Sequence, residues 1–410
     1  MISKTTQQFS AAVREELENN LVPFWLERVI DPEHGGFIGR MSNDGTIDLK
    51  APKGLILNTR ILWTFSALYR FSQDSRFRDA AQLAYDYLEA YFRDNSFGGV
   101  FWLLDCDGHP LDNKKKIYGQ AFYIYAQSEY YRASEDSSAL DRAMETFDLI
   151  ETNSRDRTNG GYIEVCNRDW SIADDLRLSD KDMDEKKSMN NHLHLLEAYT
   201  NLYRIRPESL LRDHLTELID IFDQRITDKD TGHLNHFFND TWRPKSDNYT
   251  FGHDIEASWL LCEAAQILEE PALTTRIRQL ALRLARLTLA EGLDNDGGLC
   301  YEGRAGQVTD PNRQWWPQAE SVVGFLNAYE LSGDSSFLEA AKKAWNYIEK
   351  YFIDREHGEW FWRIDTTGRP DPAEPKLSQW KGPYHNVRAC LEIIKRLTRL
   401  ADESVSGEKL

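Results

Sequence analysis

The sequence predicts an all-α protein, an (α/α)6 barrel of six helical hairpins with short β-like turns at one end, and three observations carry the prediction. An acidic-and-glycine turn recurs six times, at Asp31-Pro-Glu-His-Gly-Gly36, Asp94-Asn-Ser-Phe-Gly-Gly99, Asp156-Arg-Thr-Asn-Gly-Gly161, Asp228-Lys-Asp-Thr-Gly-His233, Asp294-Asn-Asp-Gly-Gly298 and Asp354-Arg-Glu-His-Gly-Glu359. Each turn leads into a short aromatic or β-branched run, such as Phe37-Ile38-Gly39 or Val100-Phe101-Trp102-Leu103, and then into about fifty residues with apolar spacing for two helices. Six such hairpins are too many for a simple bundle and suit a closed toroid.

The elements follow in order from start and stop signals. An orphan first helix runs from about Thr5 to Phe24. Leu55 to Phe71 and Arg76 to Phe92 form the first full pair, broken at Ser72-Gln-Asp-Ser75. The next pairs are Lys116 to Arg132 with Ser137 to Thr152, Met189 to Arg204 with Glu208 to Ile226, Phe251 to Leu268 with Pro271 to Ala290, and Pro317 to Leu331 with Ser335 to Phe352. Pro207, Pro271, Pro317 and Pro383 stand where helices should begin, because proline fixes φ and needs no N–H partner there. A last helix from Pro383 to about Ala401 can pair with the first and close the ring.

Composition bounds the function. The 410 residues carry no Pro/Ser-rich linker, so residues 1–410 read as one domain. A net charge of −18 without any basic run argues against a nucleic-acid groove and favours small neutral partners. Cys106, Cys166, Cys262, Cys300 and Cys390 are odd in number and scattered, which suggests reduced thiols and neither a disulfide framework nor a zinc site. No stretch reads as a signal peptide or a bilayer span. The expectation is a cytoplasmic monomer without metal or cofactor.

The inner helix of each pair should be the one after the glycine turn. Arg60, Tyr118, His194, His253, Trp316 and His385 stand near the starts of these helices, about 20 to 34 residues beyond the turn glycines, where a bundle core would want leucine. Each comes from a different repeat, so all should gather at one mouth of the barrel as a small-molecule pocket. His192 and His194 point to different helix faces and make a poor metal chelate. Asn190, His194 and Glu197 share a face, which favours His194 for the pocket.

Five stretches then carry a resemblance: Leu57-Asn-Thr-Arg-Ile-Leu-Trp-Thr-Phe65, Ser188-Met-Asn-Asn-His-Leu-His-Leu-Leu-Glu-Ala198, Phe251-Gly-His-Asp-Ile-Glu-Ala-Ser-Trp259, Trp315-Trp-Pro-Gln-Ala-Glu320 and Trp380-Lys-Gly-Pro-Tyr-His-Asn386. From about Phe9 to Leu400 the chain closely resembles the N-acylglucosamine 2-epimerase superfamily, in particular its disaccharide-acting members. The resemblance implies an (α/α)6 barrel and reversible epimerisation at C2 of the reducing-end residue of cellobiose, lactose or mannobiose, through ring opening and an enediolate. It implies that His385 takes the proton from the glucose form and His253 from the mannose form. Arg60 would contact O1 and O2, His194 would bind O1, Trp316 and Trp380 would face the sugar, and Asp182 would touch substrate.

Residue chemistry adds to this. Histidine suits proton exchange near neutral pH, and on an even ring the fourth and sixth inner helices lie about 120° apart, so their histidines can approach one carbon from two sides. A helix N-terminus should keep His253 neutral, and Glu256, three residues on, should orient its ring. Glu256 and Glu320 could equally be packing groups. Asn167 to Lys187, long and charged, should cover the pocket. Mannose or N-acylglucosamine epimerases and isomerases of the same fold are alternatives. A glycoside hydrolase using Asp182, Glu256 and Glu320 would leave the histidines and Arg60 without a task, and a sugar-binding barrel would not require paired histidines.

Overall fold

A computed structural model describes residues 2–406, with side chains from Thr6 to Asp402. Helix α1 (Ile2–Glu16) runs through a π turn (Leu17–Leu21) into α2 (Val22–Glu27). There follow α3 (Leu55–Ser72), α4 (Ser75–Tyr87), α5 (Ile117–Ser134), α6 (Ser137–Asn153), α7 (Met189–Ile205), α8 (Ser209–Ile221), α9 (Phe251–Ile267), α10 (Pro271–Leu287), α11 (Trp315–Ser332), α12 (Ser335–Tyr347) and α13 (Tyr384–Ser406). Helices α3, α5, α7, α9, α11 and α13 pack side by side in that order, and α13 returns to α3. The outer helices α4, α6, α8, α10 and α12 each pack on the inner helix before them, and α1 packs on α13. The fold is the (α/α)6 barrel, closed by its first and last helices.

Burial explains which helix lies where. Residues Asp254 to Cys262 of α9 are all buried, so that helix has no solvent face, as an inner position requires. Helix α8 buries one stripe, Leu211, His214, Leu215, Leu218 and Ile219, with Ile221 at its end, the mark of an outer helix. Inner helices α3, α5 and α11 end on left-handed residues, Gln73, Glu135 and Gly333. Their outer partners begin on Asp74, Asp136 and Asp334, whose carboxylates accept the backbone N–H two residues on. Pro271 is the first residue of α10 as expected, whereas α11 begins at Trp315, two residues before Pro317.

The outer helices hold a feature absent from the apolar spacing. Helices α4, α8, α10 and α12 each run into a five-residue π turn, at Leu88–Phe92, Phe222–Ile226, Thr288–Gly292 and Ile348–Phe352. These widened turns deliver the chain into the recurrent glycine turns. In five of them the Asp carboxylate accepts two successive backbone N–H groups, as Asp31 does from Glu33 and His34 at 3.0 Å each. Its other oxygen takes a buried cation from two residues before the next inner helix: Lys53 on Asp31 at 2.8 Å, Lys115 on Asp94 at 3.0 Å and Lys187 on Asp156 at 2.8 Å. Arg313 serves Asp294 from the same position, and Lys376, eight residues before α13, serves Asp354. In the fourth unit Tyr249 takes that place and stacks on His233, ring centroids 3.5 Å apart. In the third turn the last glycine is required, since Gly161 has φ +74° and a Cβ there would meet Trp242 at 2.4 Å.

A second lock sets the rotation of the inner helices. The fourth residue of each of four inner helices accepts a backbone N–H from the preceding turn: Gln120 from Val100, His192 from Tyr162, Asp254 from Leu234 and Gln318 from Leu299, at 2.8–3.0 Å. At 100° per residue, the second and sixth residues point the opposite way, toward the barrel axis.

Candidate active site

Those axial positions supply most of the site. They carry Arg60 on α3, Tyr118 on α5, Asn190 and His194 on α7, Glu256 on α9, Trp316 and Glu320 on α11, and His385 on α13. With His253 and Trp380, all but Glu320 line one cavity of about 600 Å³ at the turn end of the barrel. Glu320 lies directly behind His385. Asp182 lines the mouth, and its carboxylate holds its own loop through Ser179 N at 2.8 Å and Oγ at 2.6 Å. Of the long loop, only Leu178 to Asp182 lines this cavity; Lys116 Nζ ties it down by donating to Leu178 O at 2.9 Å. Asn167 to Ile172 is a tight hairpin whose Trp170 donates to Phe97 O.

Both histidines expose one ring nitrogen to this space. His385 Nδ1 lies 2.7 Å from Glu320 Oε1 and donates to it, which leaves Nε2 unprotonated. Burial drives its pKa down to about 3, against the raising pull of Glu320. His253 differs. Its Nδ1 lies 2.5 Å from Thr250 Oγ1, and its pKa falls well below the ordinary value because of burial first and neighbouring His236, His194 and His385 second. The Trp316 ring touches both, centroids 4.7 Å from His253 and 5.7 Å from His385.

Glu256 does not orient His253, contrary to the expectation from their three-residue spacing. Its Oε1 accepts from Arg388 Nη2 at 2.8 Å and lies 4.0 Å from His385 Nδ1. The reason is Arg388, a buried guanidinium that also donates to Glu320 Oε1 at 2.7 Å and to Glu197. A full charge outbids a neutral imidazole for a carboxylate in a low-dielectric interior. His253 is likewise kept neutral mainly by burial and then by the neighbouring His236, His194 and His385, where the sequence had pointed to the helix N-terminus.

Three carboxylates thus surround one cation. Glu197 is held down to about 2: burial alone would raise it, but Arg388 and His194 overcome that. Glu320 is ionised in the same way, by Arg388 and His385 working against burial. Glu256 is pushed upward by burial first and by the charge of Glu320 second, against the lowering pull of Arg388. His194 Nδ1 meets Glu197 Oε2 at 3.0 Å, while His192 faces away and bonds Tyr162 N and Ser188 O. Glu256, Glu320 and His385 have a spacing suited to a metal ion, yet both carboxylates already bond the Arg388 guanidinium, which is the cation they are built around.

Arg60 presents its guanidinium edge to the cavity. Nη1 donates to Trp380 O at 2.7 Å, Nη2 lies 3.1 Å from Tyr118 Oη, and the plane rests over Phe122 and Tyr384. Asn190 Oδ1 is buried with no hydrogen-bond partner among the described residues, a spare acceptor for a hydroxyl. Sequence reasoning missed Arg388, Tyr384 and Thr250. The signal for Arg388 was available, an arginine inside the apolar run Val387-Arg-Ala-Cys390 three residues after His385. A second cavity, of about 650 Å³, opens at the opposite end, but its charges pair among themselves, Arg70 with Glu129 at 2.6 Å and Arg204 with Glu263 at 2.5 Å.

Comparison with known proteins agrees with this geometry. Residues 36–389 match the family model of N-acylglucosamine 2-epimerase. A cellobiose 2-epimerase of Bacteroides fragilis is 43% identical over 93% of this chain and 97% of its own. The structure of cellobiose 2-epimerase from Bacillus thermoamylovorans B4167 is similar with a TM-score of 0.91 and 39% identity, covering 95% of this chain and 100% of that one. A D-mannose isomerase structure is similar with a TM-score of 0.83 at 25% identity over 94% and 97% of the two chains. An axial cavity with two neutral histidines and an arginine, on a barrel shared end to end with these enzymes, places the chain in the N-acylglucosamine 2-epimerase family.

Proposed function

We propose that the protein interconverts the glucose and mannose configurations at C2 of the reducing-end residue of cellobiose and related β-1,4-linked disaccharides such as lactose and mannobiose. The observation that carries this is the pair His253 and His385, each with Nδ1 engaged and Nε2 free, both against the Trp316 ring. Removing a proton α to an aldehyde and returning one to the other face needs two such bases. In this reading His194 assists ring opening at O1, and His385 Nε2 takes the C2 proton of the glucose form. Arg60 stabilises the enediolate, and His253, which must enter this step carrying a proton taken from solvent at Nε2, returns it to the opposite face and is left neutral. Trp316 and Trp380 lie against the sugar rings, while Tyr118, Asn190 and Asp182 meet hydroxyls. Ionised Glu320 stabilises the His385 imidazolium. The cytoplasmic setting is supported by five unpaired cysteines, and the monomer expected from the sequence is tested by elution volume.

The glycoside-hydrolase reading is disfavoured because the Arg388 guanidinium fills the space between Glu256 and Glu320 that a glycosidic oxygen would need. Incubation with cellobiose in heavy water tests the proposal. Deuterium should enter C2 of the reducing-end residue while 4-O-glucosylmannose accumulates. Free glucose would point to hydrolysis, ketose alone to an isomerase, and unchanged cellobiose to a binding protein. His253→Asn and His385→Asn should each lower epimerisation by at least about 10²-fold with the helical circular dichroism intact.

A further inference from the structure

The hairpin that follows the third glycine turn reaches back to the second turn. Its tip, Asn167 to Ser171, does so through an ion pair: Arg168 Nε lies 2.8 Å from Asp94 Oδ2, and the guanidinium rests over the ring of Phe97. One repeat earlier the same junction carries other chemistry. There the tip is Asp105-Cys-Asp-Gly-His109, with Cys106 in the place of Arg168, and the turn has His34 in the place of Phe97.

Backbone bonds fix both sides of this junction. Asp105 N donates to His109 O at 2.8 Å, and Gly108 at φ +90° closes the tip. On the turn, His34 N donates to Asp31 Oδ1 at 3.0 Å. His34 Nδ1 then lies 3.5 Å from Asp31 Oδ2, while Nε2 faces across the junction, 3.7 Å from Asp107 Oδ1. One ligand atom each from His34, Cys106 and Asp107 lies within 4.8 Å of the others. A tetrahedral zinc ion holds such ligands at about 2.0–2.3 Å, hence about 3.3–3.6 Å from one another, so the three atoms need to close by at most about 1.5 Å. Cys106 is half-buried and the Asp107 side chain is 63% exposed, which leaves room for that movement.

We infer that His34 Nε2, Cys106 Sγ and the Asp107 carboxylate form a site for a divalent cation of the zinc class, which clips the hairpin Leu103 to Asp112 onto the first turn. Imidazole, thiolate and carboxylate are zinc's ligand types, and a ligating imidazole ordinarily gives its second N–H to a carboxylate, the place Asp31 holds behind His34. Binding forms a metal–sulfur bond, the thiol proton leaves to water, and a water molecule completes the coordination. The expectation of no zinc site rested on cysteine spacing along the chain, whereas here the histidine comes from another repeat. The other four cysteines are buried, and at the ring's closing junction the equivalent residues are His357 and Asn43-Asp44, without a thiol. The ion sits outside the catalytic cavity, but Leu103 and Asp112 at the base of the hairpin line that cavity, so the clip steadies one of its walls.

The test uses the full chain, freed of metal by a chelator and then titrated with Zn2+ or Co2+. One ion should bind per chain, and Co2+ should give the near-ultraviolet band of a cobalt–thiolate bond. Cys106→Ala should abolish that band, and both Cys106→Ala and His34→Gln should weaken Zn2+ binding by about 100-fold or more, with helical circular dichroism unchanged. His357→Gln should bind as wild type does. At free Zn2+ of about 100 times Kd, amide exchange in residues 103–112 that proceeds by opening of the junction should slow by about 100-fold. Co2+ bound without the thiolate band, Zn2+ affinity unchanged in Cys106→Ala or His34→Gln, an equal loss in His357→Gln, or hairpin exchange indifferent to Zn2+ would each overturn the site.

Discussion

Glu320 Oε1 and His385 Nδ1 stand 2.7 Å apart although 65 residues separate them in the chain, a carboxylate–imidazole pair joining α11 to α13. The corresponding nitrogen of His253 meets only the hydroxyl of Thr250. The two bases are therefore unequal, since an ionised carboxylate stabilises an imidazolium and a hydroxyl does so weakly. Glu320→Gln keeps the shape and one acceptor but removes the charge, so kcat should fall on the order of 10²-fold with little change in KM. Steady-state kinetics on cellobiose decide it; an unchanged kcat would detach Glu320 from the chemistry.

The same pair sets a pH dependence. His385 titrates near 3, far below the usual 6.5. The free enzyme's His385 therefore stays a neutral base well into acid, and no acid limb of kcat/KM from this residue should appear near pH 6.5. A clear limb at the ordinary imidazole value would contradict the burial.

Arg388 neutralises a cluster that could not otherwise stay buried. Arg388→Met leaves Glu197 and Glu320 facing each other without a cation and should cost about 3–5 kcal/mol in denaturant unfolding. Arg388→Lys keeps the charge but not the fork, and should lose less stability while still lowering activity. Equal stability of Arg388→Met and the wild type would refute the account.

The turn lock makes a prediction away from the site. Lys53 and Asp31 are both about 1% exposed, and the lysine also donates to Gly35 O at 2.6 Å. Lys53→Met should destabilise by about 3–5 kcal/mol, and adding Asp31→Asn should cost less than the sum, because the charge left behind is then gone. Strict additivity in the double-mutant cycle would remove the pair as a lock.

Glu164 gives a stability signal with a definite sign. Burial raises its pKa to about 8 from 4.5, while its Oε1 accepts from Ser188 N at 2.7 Å. The folded form keeps a proton that the unfolded chain loses, so this contribution is full below about 4.5 and is lost as pH rises toward 8. Glu164→Gln removes the loss, and its stability relative to wild type should climb across that window by at most about 1.4 kcal/mol per pH unit. A flat difference between pH 5 and 8 would show that the carboxyl ionises normally.

Much of this was legible in the chain. The six turns, the inner and outer helices, and the gathering of Arg60, Tyr118, His194, His253, Trp316 and His385 at one mouth all follow from spacing, because helical periodicity is local and repeats impose equivalence. The π turns were not, since a one-residue widening leaves the apolar pattern almost unchanged. Nor was the direction of Glu256, whose three-residue distance from His253 permits contact without requiring it.

The sequence alone determined which residues belong to helices, which face of each is buried, and which side chains reach the axis. Tertiary structure decided who pairs with whom there. Closing the ring brings α13 against α3 and α11 and sets Arg388 among Glu197, Glu256 and Glu320. In that dry interior Arg388 claims Glu256 outright and shares Glu320 with His385, which leaves a threonine for His253. Contacts between elements far apart in sequence have no local spacing to announce them, and the different surroundings of the two bases consist of such contacts.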